Sequence, residues 1–242
     1  MNRSIRCTFA ALMLGSLGGA AYAADVPPPA PVAVAPAFQP FQVRLRAVGV
    51  LAGGGGAVYT IPNGTSIANG IKASDAVIPE LDVSYYFTPN LAIEAICCVS
   101  YHNLFLQGGA LDGRKVAHVL LFPPTLLAQY HWTAFGQFQP YIGVGVNYTH
   151  YFSQHPDGVI LNSITVHDAW GVAGQVGFDY MIDDHWGFNF DVKKIVMNPH
   201  VNATVAPGLV SLGGQANLNP WLIGAGITYR FGGPAAAVVA KY

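Results

Sequence analysis

The sequence predicts an all-β protein, an eight-stranded antiparallel transmembrane β-barrel. Three observations predict it. Hydrophobic residues make up 52 % of the 242 positions and charged residues only 10 %, where soluble domains carry about 25 % charge. The apolar residues alternate with small or polar ones at period two. The connections between the alternating runs switch regularly between short and long, as in outer-membrane barrels with short periplasmic turns and longer external segments. The same composition argues against extended disorder. Eleven Lys+Arg against twelve Asp+Glu provide no basic field for nucleic acid.

The first 23 residues have the layout of a secretory signal peptide. Arg3 and Arg6 form a positive start, an apolar stretch runs from Cys7 to Gly19, and Ala21-Tyr22-Ala23 is a small-residue cleavage pattern. A membrane anchor would need a longer span of about 20 apolar residues. Cleavage removes two positive charges and leaves nine basic against twelve acidic residues, a net charge of −3. Residues 24–40 follow as a Pro-rich periplasmic linker, with six prolines between Asp25 and Pro40. Proline locks φ and removes donors, so an extended spacer is expected.

No later window reaches 18 consecutive apolar residues, so no membrane helix is expected. In the closing run Trp221, Ile223, Ala225, Ile227, Tyr229 and Phe231 share one face, opposite Leu222, Gly224, Gly226, Thr228 and Arg230. The runs around Trp170–Tyr180 and Tyr141–Tyr148 divide in the same way. A soluble sandwich also alternates, but its polar face is rich in Lys and Glu. Here that face holds Gly, Asn, Gln and isolated charges, with aromatic residues at the strand ends, as a barrel with an oily exterior and a narrow interior requires. Strands in hydrocarbon must also close on themselves to pair every backbone group.

Eight strands are expected at 41–52, 77–87, 91–102, 115–132, 139–153, 169–182, 186–203 and 219–231. Short connections fall at Thr88-Pro89-Asn90, Thr133 to Phe138 and Asp183-Asp184. External loops are expected at Gly53 to Ala76, Asn103 to Arg114, Gln154 to Asp168 and Thr204 to Leu218. An extension, residues 232–242, follows the barrel.

Three segments carry a family resemblance: Leu121 through Pro123-Pro124-Thr125 to His131-Trp132, Pro140-Tyr141-Ile142-Gly143 to Tyr148-Thr149, and Asn219-Pro220-Trp221 to Tyr229-Arg230-Phe231. With the strand start Leu91-Ala92-Ile93-Glu94 they span about residues 41–231. In this order and spacing the chain resembles the OmpW family of small outer-membrane barrels (OmpW/AlkL-like proteins). The resemblance implies an eight-stranded barrel in the outer membrane of a Gram-negative bacterium, reached after Sec-type export. It also implies a hydrophobic channel passing small apolar molecules toward the periplasm or sideways into the bilayer. Members of that family end at the aromatic residue that closes the last strand, which the barrel assembly machinery reads. Here Gly232 to Tyr242 continue for eleven residues, so either Phe231 is read internally or Tyr242 stands in for it.

Placing the strands by their oily faces points nine ionisable side chains inward: Arg44, Arg46, Glu80, Asp82, Glu94, Asp179, Asp191, Lys193 and Arg230. Four are positive and five negative. Buried charges require partners, so these are expected to form a lumen network that blocks a straight aqueous pore. Pro123 and Pro124 remove two neighbouring N–H donors from one strand. They mark either a harmless bulge or a lateral exit through the wall. Val48, Val50, Leu104, Phe105, Leu120 and Met197 are expected to line an apolar vestibule above the charges.

Other constellations are weak. His118, His131 and His150 lack metal-type spacing and are expected at interfaces or in loops, and no metal or cofactor is expected. Alternation sends one of Cys97 and Cys98 to lipid and the other to the lumen. His150 with Ser153 lacks an evident carboxylate partner, so a lipid-modifying enzyme is not the expected reading. The expected function is a passive channel for small hydrophobic solutes, with membrane lipid and the assembly machinery as further partners and no nucleic acid. The alternative is a closed structural or adhesive barrel whose loops bind partners.

Overall fold

The computed structural model describes residues 38–205 and 210–233. The expected signal peptide, most of the linker and the extension from residue 234 onward lie outside them. Sixteen strand segments occur in chain order: β1 (Phe41–Leu51), β2 (Gly54–Ile61), β3 (Ser66–Ala68), β4 (Gly70–Ala73), β5 (Ala76–Tyr86), β6 (Leu91–Cys97), β7 (Ser100–Gln107), β8 (Lys115–Phe122), β9 (Thr125–His131), β10 (Phe138–Pro156), β11 (Leu161–Val166), β12 (Ala169–Met181), β13 (Trp186–Met197), β14 (His200–Val205), β15 (Val210–Ala216) and β16 (Trp221–Phe231).

The lower ring is a closed eight-stranded antiparallel barrel, in the cyclic order β1, β5, β6, β9, β10, β12, β13, β16. Outward residues are apolar and exposed, for example Leu45, Val144, Val172 and Ile223. Aromatic residues mark both ends of the outer face. Phe41, Tyr130, Trp132, Phe138, Tyr180, Trp186 and Tyr229 lie at the bottom, and Tyr148, Trp170 and Trp221 at the top. Ten residues separate Phe138 from Tyr148 and Trp221 from Phe231. At about 3.3 Å per residue and a tilt of about 40°, that rise is about 25 Å, the height of an outer-membrane apolar belt. Lys194 caps the upper girdle, with its ammonium 4.7 Å from the centre of the Trp221 ring.

The four expected loops are corrected by the structure. Gly53 to Ala76 holds β2, β3 and β4, the region after Asn103 continues β7 to Gln107, Gln154 to Asp168 holds β11, and Thr204 to Leu218 holds β15. These segments extend the wall upward in the order β2, β4, β7, β8, upper β10, β11, β14, β15 and back to β2. That is the cyclic order of the lower ring. Each long strand except β10 is therefore one tilted strand broken at a common waist. Three expected single strands are corrected accordingly: 91–102 breaks at Cys98-Val99, 115–132 at Pro123-Pro124, and 186–203 at Asn198-Pro199. The loops escaped period-two reading because Gly, Pro, Asn and Asp interrupt their short apolar runs, and such residues carry little β-propensity of their own.

Side chains satisfy backbone groups freed at the waist. Asp75 accepts from the Ala52 N–H at 2.9 Å, and Asn219 accepts from the Met197 N–H at 2.9 Å. Upper β10 and β11 share no ladder. Gln154 joins them instead, accepting from the Val166 N–H at 2.6 Å and donating to its carbonyl at 3.0 Å. Below the waist, glycines let strands and charged side chains approach. A Cβ at Gly226 would lie 2.1 Å from the Leu45 carbonyl oxygen and 2.9 Å from Arg46 Cγ.

Candidate functional site: a charged floor beneath an apolar column

Period two puts Gln42, Arg44 and Arg46 of β1 on one inward row, facing Glu80, Asp82 and Ser84 of β5 across the register Arg44↔Asp82 and Arg46↔Glu80. The nine inward ionisable residues occupy the lower lumen together. Eight are buried, and only the Arg230 side chain retains appreciable exposure, 13 %. Arg44 bonds the Asp179 carboxylate through two nitrogens, at 2.9 and 3.2 Å, and pairs with Glu94. Arg46 binds Glu80 at 2.6 Å and Asp82 at 2.7 Å and pairs with Asp191. Lys193 lies 3.5 Å from Glu80, and Arg230 lies 3.2 Å from Asp179.

Neutral groups that the sequence reading missed join these ion pairs into one network. Gln42 donates to Asp179 at 3.1 Å, Gln129 to Glu94 at 2.8 Å, and Asn189 to Asp179 at 2.8 Å. Gln175 bonds Asp191. The Tyr141 hydroxyl accepts from Asn189, and the Tyr86 hydroxyl donates to Gln42 at 2.9 Å. Their signal was parity, since each shares the inward phase of a charged residue on its own or an adjacent strand. His131 corrects the expectation of an interfacial or loop histidine. It is buried in the lumen, 3.1 Å from the Gln129 side-chain oxygen and against Tyr86 and Tyr141. Beneath the network a cavity of about 580 Å³ opens at the lower mouth, bordered by Phe38, Gln39, Tyr86, Gln139 and Arg230.

Above the charges the lumen changes character between two successive inward positions of β1, from Arg46 to Val48. Val48, Val50, Leu104 and Met197 point inward and are buried. Phe105 and Leu120 are corrected: both are half-buried on the outward face, because they sit one residue out of phase with inward Leu104 and Val119. Segments expected as loops supply further lining, including Ile71, Val166 and Leu212. Three small apolar voids string upward. The lowest, about 50 Å³, touches Val50, Ile78, Cys98, Leu121 and Leu222. The next, about 10 Å³, touches Leu104, Val119, Tyr151 and Val166. The third, about 80 Å³, touches Val58, Leu106, Val116, Ile164 and Leu212. Cys98 points into this column and Cys97 is exposed, and both are free thiols.

One break in the wall's ladder lies beside the lowest void. Cross-strand pairs run to Ile96↔Thr125 and resume at Ser100↔Leu121, with none between. Pro123 and Pro124 stand on one side of this interval and Cys98 and Val99 on the other. Toward β10 the wall stays tied: Tyr148 N–H donates to the Pro124 carbonyl at 3.0 Å, and the Asn147 amide donates to the Pro123 carbonyl at 3.2 Å.

On the outer surface His150 does have a carboxylate partner, against expectation. Its Nδ1 lies 2.8 Å from Asp168, which also accepts from the Tyr148 hydroxyl at 2.6 Å and the Tyr151 N–H at 3.1 Å. Among the described residues no hydrogen bond joins His150 to Ser153. Asp168 lies just above the Trp170 girdle, and the bonds from Tyr148 and His150 hold its carboxyl down to about 2. Its value in the unfolded chain is about 3.9. Its contribution is therefore present above that value and lost as the pH falls through about 2. Asp168→Asn is expected to remove this acid-dependent component. Solvent screening limits the change to less than about 1 kcal/mol, read by comparing unfolding free energies at pH 7 and pH 2.

Comparison with known proteins places this architecture. The OmpW family model matches residues 40–231. An uncharacterized outer-membrane protein, y4mB of Sinorhizobium fredii, is 43 % identical over 232 residues, covering 95 % of this chain and 97 % of that protein. The crystal structure of the outer membrane protein OprG from Pseudomonas aeruginosa superposes with a TM-score of 0.72 at 28 % identity, covering 81 % of this chain and 97 % of that one. The solid-state NMR structure of outer membrane protein AlkL in DMPC bilayers shares the fold, with a TM-score of 0.63 at 24 % identity, covering 86 % of this chain and 97 % of that one. With its closed ring, its girdles and the family match over the whole barrel, the chain belongs to the OmpW family and is an outer-membrane β-barrel protein.

Proposed function

We propose that the protein is a passive channel that takes small hydrophobic molecules from the outside and releases them sideways into the bilayer. The observation that carries the reading is the apolar column standing directly on a floor of paired charges. An apolar solute gains about 25 cal/mol for each Å² it withdraws from water, so burying about 200 Å² in the column favours entry by about 5 kcal/mol. The exposed apolar residues Ile67, Leu111 and Val159 suit the entrance. The paired charges below offer the solute no apolar path onward, whereas the unladdered interval at Pro123-Pro124 borders the lowest void. The voids are smaller than a chain-like solute, so passage proceeds by side-chain displacement and not through an open pore. In this reading residues 1–23 are the export signal and residues 24–40 the periplasmic linker.

The test is the full mature chain in liposomes. Faster entry of an alkane-like dye with ions still excluded supports the channel. Dye entry equal to that of protein-free liposomes favours the closed structural or adhesive barrel. For the exit, replacing both prolines with valine restores two N–H donors and is expected to slow dye uptake several-fold. Unchanged uptake in a correctly folded Pro123→Val/Pro124→Val variant would remove the exit from this place.

A further inference from the structure

We propose that His118 and His155 form a binding site for a divalent transition metal on the outer wall of the upper barrel. The two histidines lie 37 residues apart, and the antiparallel register of β8 and β10 sets them directly opposite each other. Their rings are nearly parallel, with centroids 4.9 Å apart and planes at 13°. His155 Nδ1 lies 3.0 Å from the Ser153 carbonyl oxygen, and a carbonyl only accepts, so Nδ1 carries the proton. The lone pair is then on Nε2. A second hydrogen bond of this kind is what orients metal-binding histidines. Among the described residues no hydrogen bond occupies the His118 ring, whose other face rests on Tyr101 at 5.4 Å.

Of the other six described histidines, five are committed elsewhere, and His200 engages a neighbour through its backbone carbonyl, which accepts from the His167 N–H at 2.9 Å. His150 is held by Asp168, His102 by the Ser74 carbonyl and Ser100, His185 by the Arg230 carbonyl, and His167 by Asn202. His131 is enclosed in the lumen network.

Metal–nitrogen distances of about 2.0–2.1 Å set two ligating nitrogens about 3–3.5 Å apart. A modest swing of both rings out of the stack reaches that separation, and His155 has the freedom to make it because it is exposed. Imidazole pairs select Cu²⁺, Ni²⁺ and Zn²⁺ over Ca²⁺ and Mg²⁺, with Cu²⁺ held most tightly. Water completes the coordination, since no cluster of three or more ligating side chains occurs among the described residues. The site lies beside the register shift between Phe152 and His155, where Ser153 has a φ of 49°. A metal there staples β8 to β10 where their own ladder is irregular.

The experiment uses the full chain without an affinity tag, in lipid vesicles, titrated with Cu²⁺ or Ni²⁺ alone against a chromogenic chelator. One metal per chain is expected. His118→Ala and His155→Ala should each weaken binding tenfold or more, with no further loss in the double variant, while His150→Ala leaves it unchanged. The electron paramagnetic resonance of bound Cu²⁺ should show coupling to two imidazole nitrogens in the unaltered protein. Coupling to a single nitrogen there, or binding that survives both single substitutions, would overturn the site whether or not any variant folds.

Discussion

Arg44→Met is expected to destabilise the barrel by about 3–5 kcal/mol, the cost of leaving buried charge without its partner. Arg44 is fully buried and holds both Glu94 and Asp179 from the centre of the floor. Methionine keeps much of the volume but supplies no donor, so Glu94 retains only the Gln129 amide while Asp179 retains Gln42, Asn189 and Arg230. The loss concentrates on Glu94. Adding Glu94→Gln to Arg44→Met should therefore recover part of the stability, because a neutral amide is cheaper to bury than an unpaired carboxylate. Urea unfolding of the protein in lipid vesicles measures both steps. Equal stability of Arg44→Met and the unaltered chain would show that water reaches the floor and that its charges are not sealed.

The second large effect concerns transport. Leu121 borders both the lowest void and the one above it and stands two residues from Pro123. Leu121→Asp places a carboxylate in the apolar column, above a floor that already holds five carboxylates against four cations. No cation is spare to pair with it. Dye uptake is expected to fall at least tenfold, equivalent to a barrier higher by about 1.4 kcal/mol, in a barrel that still inserts. Leu121→Ala widens the same passage and should raise uptake. Opposite responses to these two substitutions separate a solute path through the column from a barrel in which nothing passes, where neither substitution changes uptake.

Strand phase was legible because the pleat has a period of two, so a single oily residue assigns every neighbour on its strand to a face. That is how nine charged residues scattered from Arg44 to Arg230 could be placed in one lumen. Phase fails where a strand is broken or the pattern weak. Phe105 and Leu120 suit the lumen by their apolar character beside Leu104 and Leu121, yet the phase of those neighbours sends them outward. The upper wall was hidden for a related reason. β2 begins with three glycines and β15 carries Gly213-Gly214, and such segments become strands only when paired with a neighbour.

The sequence by itself determined the closed barrel, its membrane faces, its short turns and the inward rows of charge, because alternation and composition are local properties. Tertiary structure alone decided that the expected loops raise the wall, that Gln42, Gln129 and Asn189 join separate ion pairs into one floor, and that His118 meets His155. Each of these depends on the register between strands distant in sequence, which pairing of backbone groups around the whole ring sets and which no single strand encodes.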